Sequence, residues 1–559
     1  MGKKNKYLIV IAFILAALGA CAQEWAFTNG IFFVNEDRYG PNQGSVNFFD
    51  YGSDEMVYNV YAQVNPGTKL GVTTQHGQIF GGRFFLVSKQ ANGSESAGST
   101  YGCRLAVLDA VTLNQQGCLL RFGATADSIY DGRSYCGVNA GKGYIATSAG
   151  IFVLDVNTMA TSGPIEGTQS SASGNYNSLY KGQCGDMVRF GQYVFAVQQG
   201  RGLHVIDPAT DCVVTTLPFP DIVTVFVTAG GRLYVANNSR EVYDFGPGPY
   251  ESDFTRIDPV TFETLAVHPL GDNGALCAWG AWHARMLCVD LTSERVYYNH
   301  EEYQNYISCY DFETGVLTDT LILLPEAAEI NWDGTRNRQG LYSSALSIDP
   351  HTGDLVVQTT EAAPMYAYQI FNHNWVLFYD LASGTLKRQI RLQDAYWFPA
   401  MAVYPDVCGP EVTIGDMALA VGEERVVSLL ESVKDADNLS ALAVTTASSS
   451  DETVARAWVS GLEMHVKALT RGETVVRVVT DSNGKLANET FTVTVSGTSK
   501  PGDVNMDGRV NISDVTTLIE VAMGSVLCNY DPVAADLNGN GVINVTDVTM
   551  LITLIMNMQ

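Results

Sequence analysis

The sequence predicts a mainly β protein in three parts: a seven-bladed β-propeller, an immunoglobulin-like β-sandwich and a small α-helical module at the C-terminus. Three observations lead to this prediction. A strand-and-turn pattern that ends in Asp recurs seven times within residues 24–406. Short alternating strands of a different character fill residues 410–497. After a linker at 498–502, two oxygen-rich loops with helix-like segments behind them fill residues 503–559.

Each repeat is a run of apolar residues that leads into an Asp and then into a turn with Thr or Gly, as in LAVLDAVT and LHVIDPAT. The copies recur about every 50 residues, and most follow a second strand behind a Gly turn. This spacing is typical of a β-propeller, in which four-stranded blades bury their faces by stacking radially. We interpret the Asp as a turn residue that accepts backbone N–H groups. The seven are Asp50, Asp109, Asp155, Asp207, Asp258, Asp311 and Asp380.

The longest interval between repeats precedes Asp380 and also contains Asp349. We assign Asp349 to the inner strands of the same blade, because the average interval counted from Asp311 ends between Asp349 and Asp380. Residues 410–497 contain alternating segments such as GETVVRVVT and ETFTVTVSG with Gly and Asn turns. They predict an immunoglobulin-like sandwich without the Cys…Trp…Cys core of antibody domains.

Two loops near the C-terminus carry oxygen side chains at loop positions 1, 3, 5, 9 and 12 and Gly at position 6. Ca²⁺ prefers six to eight oxygen ligands, and the Gly allows the sharp turn around the ion. The sequence therefore predicts two bound Ca²⁺ ions. The first loop offers Asp503, Asn505, Asp507, the carbonyl of Arg509, Asn511 and Asp514. The second loop offers Asp536, Asn538, Asn540, the carbonyl of Val542, Asn544 and Asp547.

A helix-like segment follows each loop, DVTTLIEVAMG and DVTMLITLIMN, and the two units lie 33 residues apart. This duplicated arrangement in residues 503–559 resembles the type I dockerin domain. The resemblance implies a calcium-dependent fold and a cohesin-like protein partner. The helix positions that would govern the choice of partner carry Val, Thr, Met and Leu, so the identity of that partner stays open.

Residues 1–22 have the layout of a signal peptide, with three Lys followed by an apolar run at 7–18 that is short for a membrane span. The segment LGAC at 18–21 resembles the lipobox of bacterial lipoproteins, in which Cys21 would be lipidated. Ordinary cleavage after Ala22 is the alternative. Both interpretations predict export, either as an outer-membrane lipoprotein at the cell surface or as a secreted protein.

Acidic residues outnumber basic residues 59 to 33, for a net charge of -26. Such a charge argues against nucleic acid and against anionic membrane surfaces, so we expect membrane contact through a lipid anchor only. The chain has 11 cysteines. Without Cys21 an even number remains, which permits disulfides in an oxidising compartment but leaves their pairing open. The absence of a CxxC motif gives no support to a zinc or thiol-redox site.

The sequence contains no GxSxG, HExxH or Gly-rich phosphate motif, so an enzymatic function has no support from motifs. Aromatic residues are frequent in the long loops between strands. Loops over the central channel of a propeller are a usual ligand site, where aromatic faces suit a flat ligand or a sugar ring, although many of these residues would pack blades. The aromatics are Tyr101, Tyr130, Tyr135, Tyr176, Tyr180, Tyr250, Trp279, Trp282, Trp332, Tyr342, Tyr366 and Trp397.

The IDPxT repeats, together with YWFPAMAVYPD at 396–406, resemble the YncE-like, surface-layer-type propeller lipoproteins of gut anaerobes. That group includes surface lipoproteins that capture vitamin B12. The resemblance implies a corrinoid ligand at the propeller mouth, with no contact residue assigned. The alternative hypothesis is a non-catalytic scaffold, or a carbohydrate-binding component, of a surface assembly that degrades polysaccharide.

Overall fold

The computed structural model of the chain describes most residues from 26 onward. The predicted signal peptide and Cys21 lie outside the described residues. The described ranges are 26–37, 43–91, 102–123, 130–170, 182–238, 252–271, 287–299, 304–330, 336–362, 372–395, 397, 399–497, 500–524 and 530–558.

The described part of the chain begins with three antiparallel strands, and five separate four-stranded antiparallel sheets follow in sequence order. The first elements are β1 (Gly30–Asn35), β2 (Ser45–Asp50), β3 (Glu55–Val57) and the short helix α1 (Val60–Val64). Sheet 1 is β4 (Val72–Phe80), β5 (Arg83–Gln90), β6 (Leu105–Asp109) and β7 (Gln115–Leu119). Sheet 2 is β8 (Gly132–Asn139), β9 (Lys142–Thr147), β10 (Gly150–Asp155) and β11 (Ala160–Ser162). Sheet 3 is β12 (Cys184–Phe190), β13 (Tyr193–Gln198), β14 (Gly202–Asp207) and β15 (Cys212–Leu217).

The pattern continues through two further separate sheets and then a sixth group of strands. Sheet 4 is β16 (Ile222–Val227), β17 (Leu233–Asn238), β18 (Ser252–Ile257) and β19 (Thr264–Gly271). Sheet 5 is β20 (Leu287–Val289), β21 (Arg295–Tyr298), β22 (Tyr306–Asp311) and β23 (Val316–Leu323). Sheet 6 is β25 (Arg336–Ile348), β26 (Leu355–Ala362), β27 (Asn374–Asp380) and β28 (Thr385–Arg391), with β24 (Glu326–Ile330) beside β25.

The last strand of this region, β29 (Pro399–Val403), joins the two ends of the repeat array. It pairs antiparallel with β1, with Phe32 opposite Val403 and Phe33 opposite Ala402. The resulting order β29-β1-β2-β3 forms sheet 7, and one parallel bridge between Ser344 and Met401 connects it to sheet 6. About seven four-stranded sheets thus follow one another, as expected of a propeller, and we call sheets 1–7 the ring.

Apolar side chains between neighbouring sheets form the core of the ring. The centroids of the aromatic side chains of Phe84 in sheet 1 and Phe32 in sheet 7 are 5.1 Å apart. Phe85 of sheet 1 stacks on Tyr135 of sheet 2 at 3.9 Å. Seven buried clusters together cover every pair of neighbouring sheets, including the pair formed by sheets 6 and 7. Each sheet therefore buries both faces against its neighbours, which a single four-stranded sheet cannot do alone.

Each of the seven predicted Asp residues lies at the end of the third strand of one sheet, or directly after it. Asp109 accepts from the N–H groups of Val111 and Thr112, for example, and all seven carboxylates accept at least one backbone N–H of the following turn. The interpretation of these residues as turn residues is confirmed. Asp349 lies between β25 and β26, the inner strands of one sheet, as predicted.

Residues 410–497 form a second body of strands, which we call the β unit. One sheet has the order β31-β38-β37-β34 and the other has the order β32-β36-β35. Both contribute to one apolar core that includes Met464, Val476 and Phe491. The elements are β30 (Glu411–Val412), β31 (Met417–Ala420), β32 (Glu424–Ser428), α2 (Leu429–Ser432), β33 (Val433–Lys434), a 3₁₀ turn (Ser440–Leu442), β34 (Val444–Ser449), β35 (Ala455–Ser460), β36 (Glu463–Ala468), β37 (Gly472–Ser482) and β38 (Lys485–Ser496).

The β unit packs directly on the ring. Leu439, Leu442 and Leu462 pack against the apolar cluster between sheets 3 and 4. The Asn483 side-chain amide donates to the carbonyl of Ile79 at 2.7 Å. Gly484 has φ +84, and a Cβ there would lie 2.7 Å from the backbone N of Gly81, so only glycine permits this close approach.

The C-terminal module is helical. It contains α3 (Ile512–Ala522), α4 (Pro532–Ala535) and α5 (Val545–Asn557). Val515 and Leu518 of α3 pack against Val548 and Leu551 of α5 in a small apolar core. Among the helices that the structure describes, none has the length and apolarity needed to cross a bilayer.

Candidate functional site

The first loop of the C-terminal module, residues 503–514, brings three carboxylates together. Oxygen atoms of Asp503, Asp507 and Asp514 all lie within 4.8 Å of one another. The N–H of Gly508 donates to Asp503 Oδ2 at 3.0 Å, and the N–H of Asn505 donates to Asp514 Oδ1 at 3.0 Å. Gly508 has φ +83, which an L side chain rarely adopts, so the glycine at position 6 is required for the turn.

The second loop, residues 536–547, repeats these contacts. The N–H of Gly541 donates to Asp536 Oδ2 at 2.6 Å, and the N–H of Asn538 donates to Asp547 Oδ1 at 3.3 Å. The N–H of Val542 donates to the side-chain oxygen of Asn540 at 2.8 Å. Equivalent positions thus have equivalent roles, which is expected for two copies of one ion-binding loop.

The ninth residue of each loop has a second role that the sequence analysis missed. Asn511 is the N-cap of α3, and its side-chain oxygen accepts from the N–H of Ser513 at 2.8 Å. Asn544 caps α5 in the same way through Thr546 at 2.8 Å. Because these oxygens cap helices, an ion at either loop would reach position 9 most easily through water, as is common at this position. The signal was present in the sequence, since Asn is a preferred N-cap residue.

The charge in the first loop favours a cation. Burial and the negative charge of Asp514 raise the pKa of Asp503, while the Gly508 N–H opposes that increase. Asp503 Oδ1 is buried and has no hydrogen-bond partner among the described residues. Asp514 and Asp547 are fully buried at the last position of their loops. A buried carboxylate oxygen without a donor is unfavourable, so the loop fits a hard cation such as Ca²⁺.

The two helices behind the loops also carry matching apolar residues on their exposed surfaces. Ile512 of α3 is 71% exposed and its counterpart Val545 of α5 is 73% exposed. Met523 and Met556 are a second matching pair at 78% and 71%. Ile519 and Ile552 complete the two sets, and the i, i+7, i+11 spacing places each set in one stripe of its helix. We call these sets the two apolar stripes.

The ring encloses a central cavity of about 470 Å³. Residues from the first strand of every sheet line it, namely β4, β8, β12, β16, β20, β25 and β29. Its polar groups include Arg133, which donates to the side-chain oxygen of Gln75 at 3.3 Å, and Asp186, which accepts from the Thr224 hydroxyl at 2.6 Å. At one end the lining belongs to the β unit: Asp437, Asn438, Leu439, Leu442, Ser482 and Asn483. The β unit therefore covers one mouth of the channel.

Of the aromatic residues proposed as ligand contacts, few belong to the part of the chain that the structure describes. Tyr135 is described, and the assignment of this residue to a loop was wrong. It lies in β8, is buried and stacks on Phe85. Tyr130 packs beside Phe152, and Trp397 packs beside Tyr58. The positions outside the described residues, or with side chains outside them, are Tyr101, Tyr176, Tyr180, Tyr250, Trp279, Trp282, Trp332, Tyr342 and Tyr366.

Within the described ranges, one pair of cysteines forms a disulfide. Cys103 and Cys118 are joined across sheet 1. Disulfides persist in oxidising compartments, so this bond agrees with the predicted export. Among the described cysteines, Cys136, Cys184, Cys212, Cys309 and Cys408 remain thiols.

Comparison with protein families gives two matches that together cover most of the chain. Residues 29–405 match the family described as "Domain of unknown function (DUF5074)". Residues 501–556 match the dockerin type I domain, which typically binds calcium and implies binding to a cohesin. No curated protein matches the chain significantly.

Several solved structures resemble this one at low sequence identity. A quinonprotein alcohol dehydrogenase-like protein from Bacteroides thetaiotaomicron is 14% identical, with a TM-score of 0.45, over 68% of this chain and 79% of that chain. The β-propeller domain of Cps50 (Swd1) from Myceliophteria thermophila is 12% identical, with a TM-score of 0.36, over 66% and 99%.

The extracellular domain of a putative hybrid two component system from B. thetaiotaomicron is 10% identical, with a TM-score of 0.34, over 85% of this chain and 56% of that chain. The family match spans well over half of the chain, from the first strand of the ring to its last. The chain belongs to the DUF5074 family and carries a type I dockerin domain at its C-terminus.

Proposed function

We propose that this protein is an exported component of a surface assembly that degrades polysaccharide, held in that assembly by its calcium-loaded dockerin domain. The observation that carries the proposal is the dockerin domain itself, with two equivalent loops and two equivalent apolar stripes. In this role the ring would be a non-catalytic scaffold or a carbohydrate-binding part. The net charge of -26 suits a soluble protein that binds cations outside the cell.

In this proposal each loop binds one Ca²⁺ ion through the ligands predicted from the sequence, with Asn511 and Asn544 contributing through water. The neighbouring carboxylates of Asp503, Asp507 and Asp514 support the first site. The repeated hydrogen bonds of Asp536 and Asp547 support the second. Asp507→Ala and Asn540→Ala should each remove one ion, measured as bound calcium per chain after dialysis.

The two apolar stripes are the proposed surface for the cohesin-like partner. Exposed apolar groups of this size on a small domain commonly mark a protein interface. Because the stripes are equivalent, either one could contact the partner while the other remains free. A charge in one stripe should therefore weaken binding only slightly, whereas a charge in both should abolish it.

A panel of purified type I cohesin modules tests this proposal by titration calorimetry with the full chain. We expect at least one module to bind in calcium and none to bind in EGTA. Ile512→Asp or Val545→Asp alone should reduce affinity by less than about tenfold, and the double variant should lose binding. Val316→Asp, at another exposed apolar site on the ring, is the matched control. Binding that persists in the double variant would rule out the stripes as the interface.

For the architecture we propose one seven-bladed propeller over residues 24–406, an immunoglobulin-like spacer at 410–497, a linker at 498–502 and the dockerin at 503–559. The closed series of clusters between neighbouring sheets supports the propeller, and the common core of two sheets supports the spacer. An electron-microscopy reconstruction of the chain with a cohesin should resolve seven blades, and six or eight would contradict the proposal.

For its location we propose a lipid anchor at Cys21, which would tether the ring near the membrane and leave the dockerin outermost. The LGAC segment and the predicted signal peptide support this arrangement. Cys21→Ser should move the protein from the membrane fraction to the soluble fraction. A native N-terminus at Gln23, found by mass spectrometry, would show instead that the protein is secreted.

A second candidate function is capture of a small molecule at the open mouth of the ring, with a corrinoid as the ligand. The cavity of about 470 Å³ favours it, since ligand pockets are commonly of this size. The β unit covers the other mouth, so a large flat ligand would have to lie across the open one. Titration with cyanocobalamin, followed by absorbance, should show saturable binding at micromolar concentrations. No spectral change at those concentrations would remove this candidate.

A further inference from the structure

A second acidic cluster lies far from the dockerin, where the β unit meets the ring. Asp406 follows the closing strand β29, while Asp435 and Asp437 belong to the loop after β33. Oxygen atoms of these three side chains lie within 4.8 Å of one another. Asp406 and Asp437 are only 9% and 8% exposed, so two of these carboxylates are buried. We call these three residues the junction cluster.

Nearly every carboxylate oxygen of the junction cluster has a hydrogen-bond donor. Asp437 Oδ2 accepts from the N–H groups of Val407 and Cys408. Asp435 Oδ1 accepts from the N–H groups of Asp437 and Asn438, and Asp435 Oδ2 accepts from the Asn438 side-chain amide. These contacts hold the loop of the β unit in one conformation.

Asp406 is equally well supplied with donors. Its Oδ1 accepts from Asn438 at 3.1 Å and from Lys485 Nζ at 3.1 Å. Its Oδ2 accepts from the Asn483 side-chain amide at 2.9 Å. Burial nevertheless raises the pKa of Asp406, against the effect of the Lys485 charge and of these hydrogen bonds.

Asp437 Oδ1 is the exception. The side chain of Asp437 is only 1% exposed, yet Oδ1 has no hydrogen-bond partner among the described residues. The imidazole Nε2 of His351 lies 3.7 Å away, which is too far for a hydrogen bond. Lys485 balances one of the three carboxylate charges, and His351 balances a second only when its imidazole is protonated. A buried carboxylate oxygen without a hydrogen-bond donor is unfavourable unless a cation lies beside it.

We propose that the junction cluster binds a divalent cation of the Ca²⁺ type, with Asp437 Oδ1 as its central ligand and the carboxylates of Asp406 and Asp435 beside it. All the proposed ligand atoms are carboxylate oxygens, which suits a hard cation and not zinc or copper. Water completes the coordination, and so few protein ligands imply an affinity in the range of about 10⁻⁴ to 10⁻³ M that is usual for extracellular sites. The ion links residues of the ring and of the β unit, so it holds the β unit over the channel mouth.

Calcium counting with the full-length chain tests the proposal, by equilibrium dialysis in millimolar calcium followed by elemental analysis. The double variant Asp507→Ala/Asn540→Ala disables both dockerin loops, and we expect it to retain one ion. Adding Asp437→Asn should remove that ion, because the amide lowers the charge while its oxygen still accepts from Val407 and Cys408. Asp451→Asn, in an exposed turn of the same β unit, is the matched control and should leave the ion bound.

Thermal unfolding of the same variants gives an independent measurement. Calcium should raise the melting temperature of the dockerin-disabled chain by a few degrees, and Asp437→Asn should abolish that increase while the circular dichroism spectrum remains native. If the dockerin-disabled chain binds no calcium, the proposal is wrong whether or not Asp437→Asn folds. Retention of one ion by a folded Asp437→Asn chain would equally overturn it.

Discussion

Single carboxylates close the turns of the ring. Asp109 Oδ1 accepts from the N–H groups of Val111 and Thr112 and from the Thr112 hydroxyl, at 2.8–3.0 Å. Asp258 makes the same pair of backbone contacts in sheet 4. These bonds involve residues two and three positions apart, so the sequence pattern alone was sufficient to predict them.

Asp109→Ala should lower the free energy of unfolding by about 1–2 kcal/mol, because two backbone N–H groups lose their acceptor. Urea unfolding monitored by Trp fluorescence measures the change. Glu313 lies in the equivalent turn of sheet 5, but its side chain is exposed. As a control, Glu313→Ala should change the free energy of unfolding by less than about 0.5 kcal/mol. Equal effects of the two substitutions would contradict a special role for the Asp.

His204 is a buried histidine whose protonation opposes folding. It lies in β14, with Nε2 at 2.7 Å from the Gln198 side-chain oxygen and Nδ1 at 2.8 Å from the Thr216 hydroxyl. Burial lowers the pKa of His204 from 6.5 to about 4. The unfolded chain therefore takes up a proton as the pH falls below about 6.5, while the folded chain does so only near pH 4.

The contribution of His204 to stability is thus complete above about pH 6.5 and is lost as the pH falls from there toward 4. Lowering the pH from 7 to 5 should remove up to about 2 kcal/mol through this group. His204→Gln should remove that dependence, although it lowers stability at pH 7. Urea midpoints at the two pH values measure the difference, and an unchanged pH slope in the variant would contradict the argument.

At the scale of elements, the dockerin helices depend on the loops that precede them. Each loop ends inside the first turn of its helix, and the buried Asp514 and Asp547 accept N–H groups from their own loops. Without calcium, the charges of Asp507 and Asp514 would repel that of Asp503 in the first loop. The loop pattern was predictable from the sequence because all its ligands lie within twelve consecutive residues.

Calcium removal should expose the first loop to proteolysis. Trypsin cleavage after Arg509, at loop position 7, should be slow in calcium and at least about tenfold faster in EGTA, because the loop folds around its ion. Mass spectrometry of timed samples identifies the cleaved bond. Cleavage after Arg295 in sheet 5 should be unaffected by EGTA. A trypsin cleavage rate at Arg509 that is the same with and without calcium would show that the loop folds without an ion.

At the scale of the whole molecule, the ends of the repeat array meet in sheet 7. Strand β29, at residues 399–403, is the innermost strand of that sheet and pairs with β1, so the ring closes only when both termini are in place. The β unit then covers the channel mouth, and Arg189 of sheet 3 pairs with Asp481 of the β unit at 3.2 Å.

Ala402→Pro should destabilise the entire ring. Ala402 is buried and lies opposite Phe33, and Pro there fixes φ and removes the backbone N–H of a paired residue, at a cost of about 1–3 kcal/mol. Ala402→Ser preserves that N–H and should have a much smaller effect. Calorimetry should show a single unfolding transition for the Pro variant, at a lower melting temperature than that of the unmodified chain. If only a small part of the unfolding enthalpy shifts to lower temperature, sheet 7 does not unfold together with the other sheets.

Consecutive residues encode the repeated strands, the Asp turns and the two calcium-loop patterns, so these features follow from the sequence alone. Their hydrogen bonds span only a few positions, so residue types and spacing suffice. Contacts between distant residues depend instead on the tertiary structure. It placed Tyr135 in the core and not in a loop, and it brought Asp406 within reach of Asp437. Such contacts depend on how sheets pack and how the ring closes, and the local sequence does not encode that geometry.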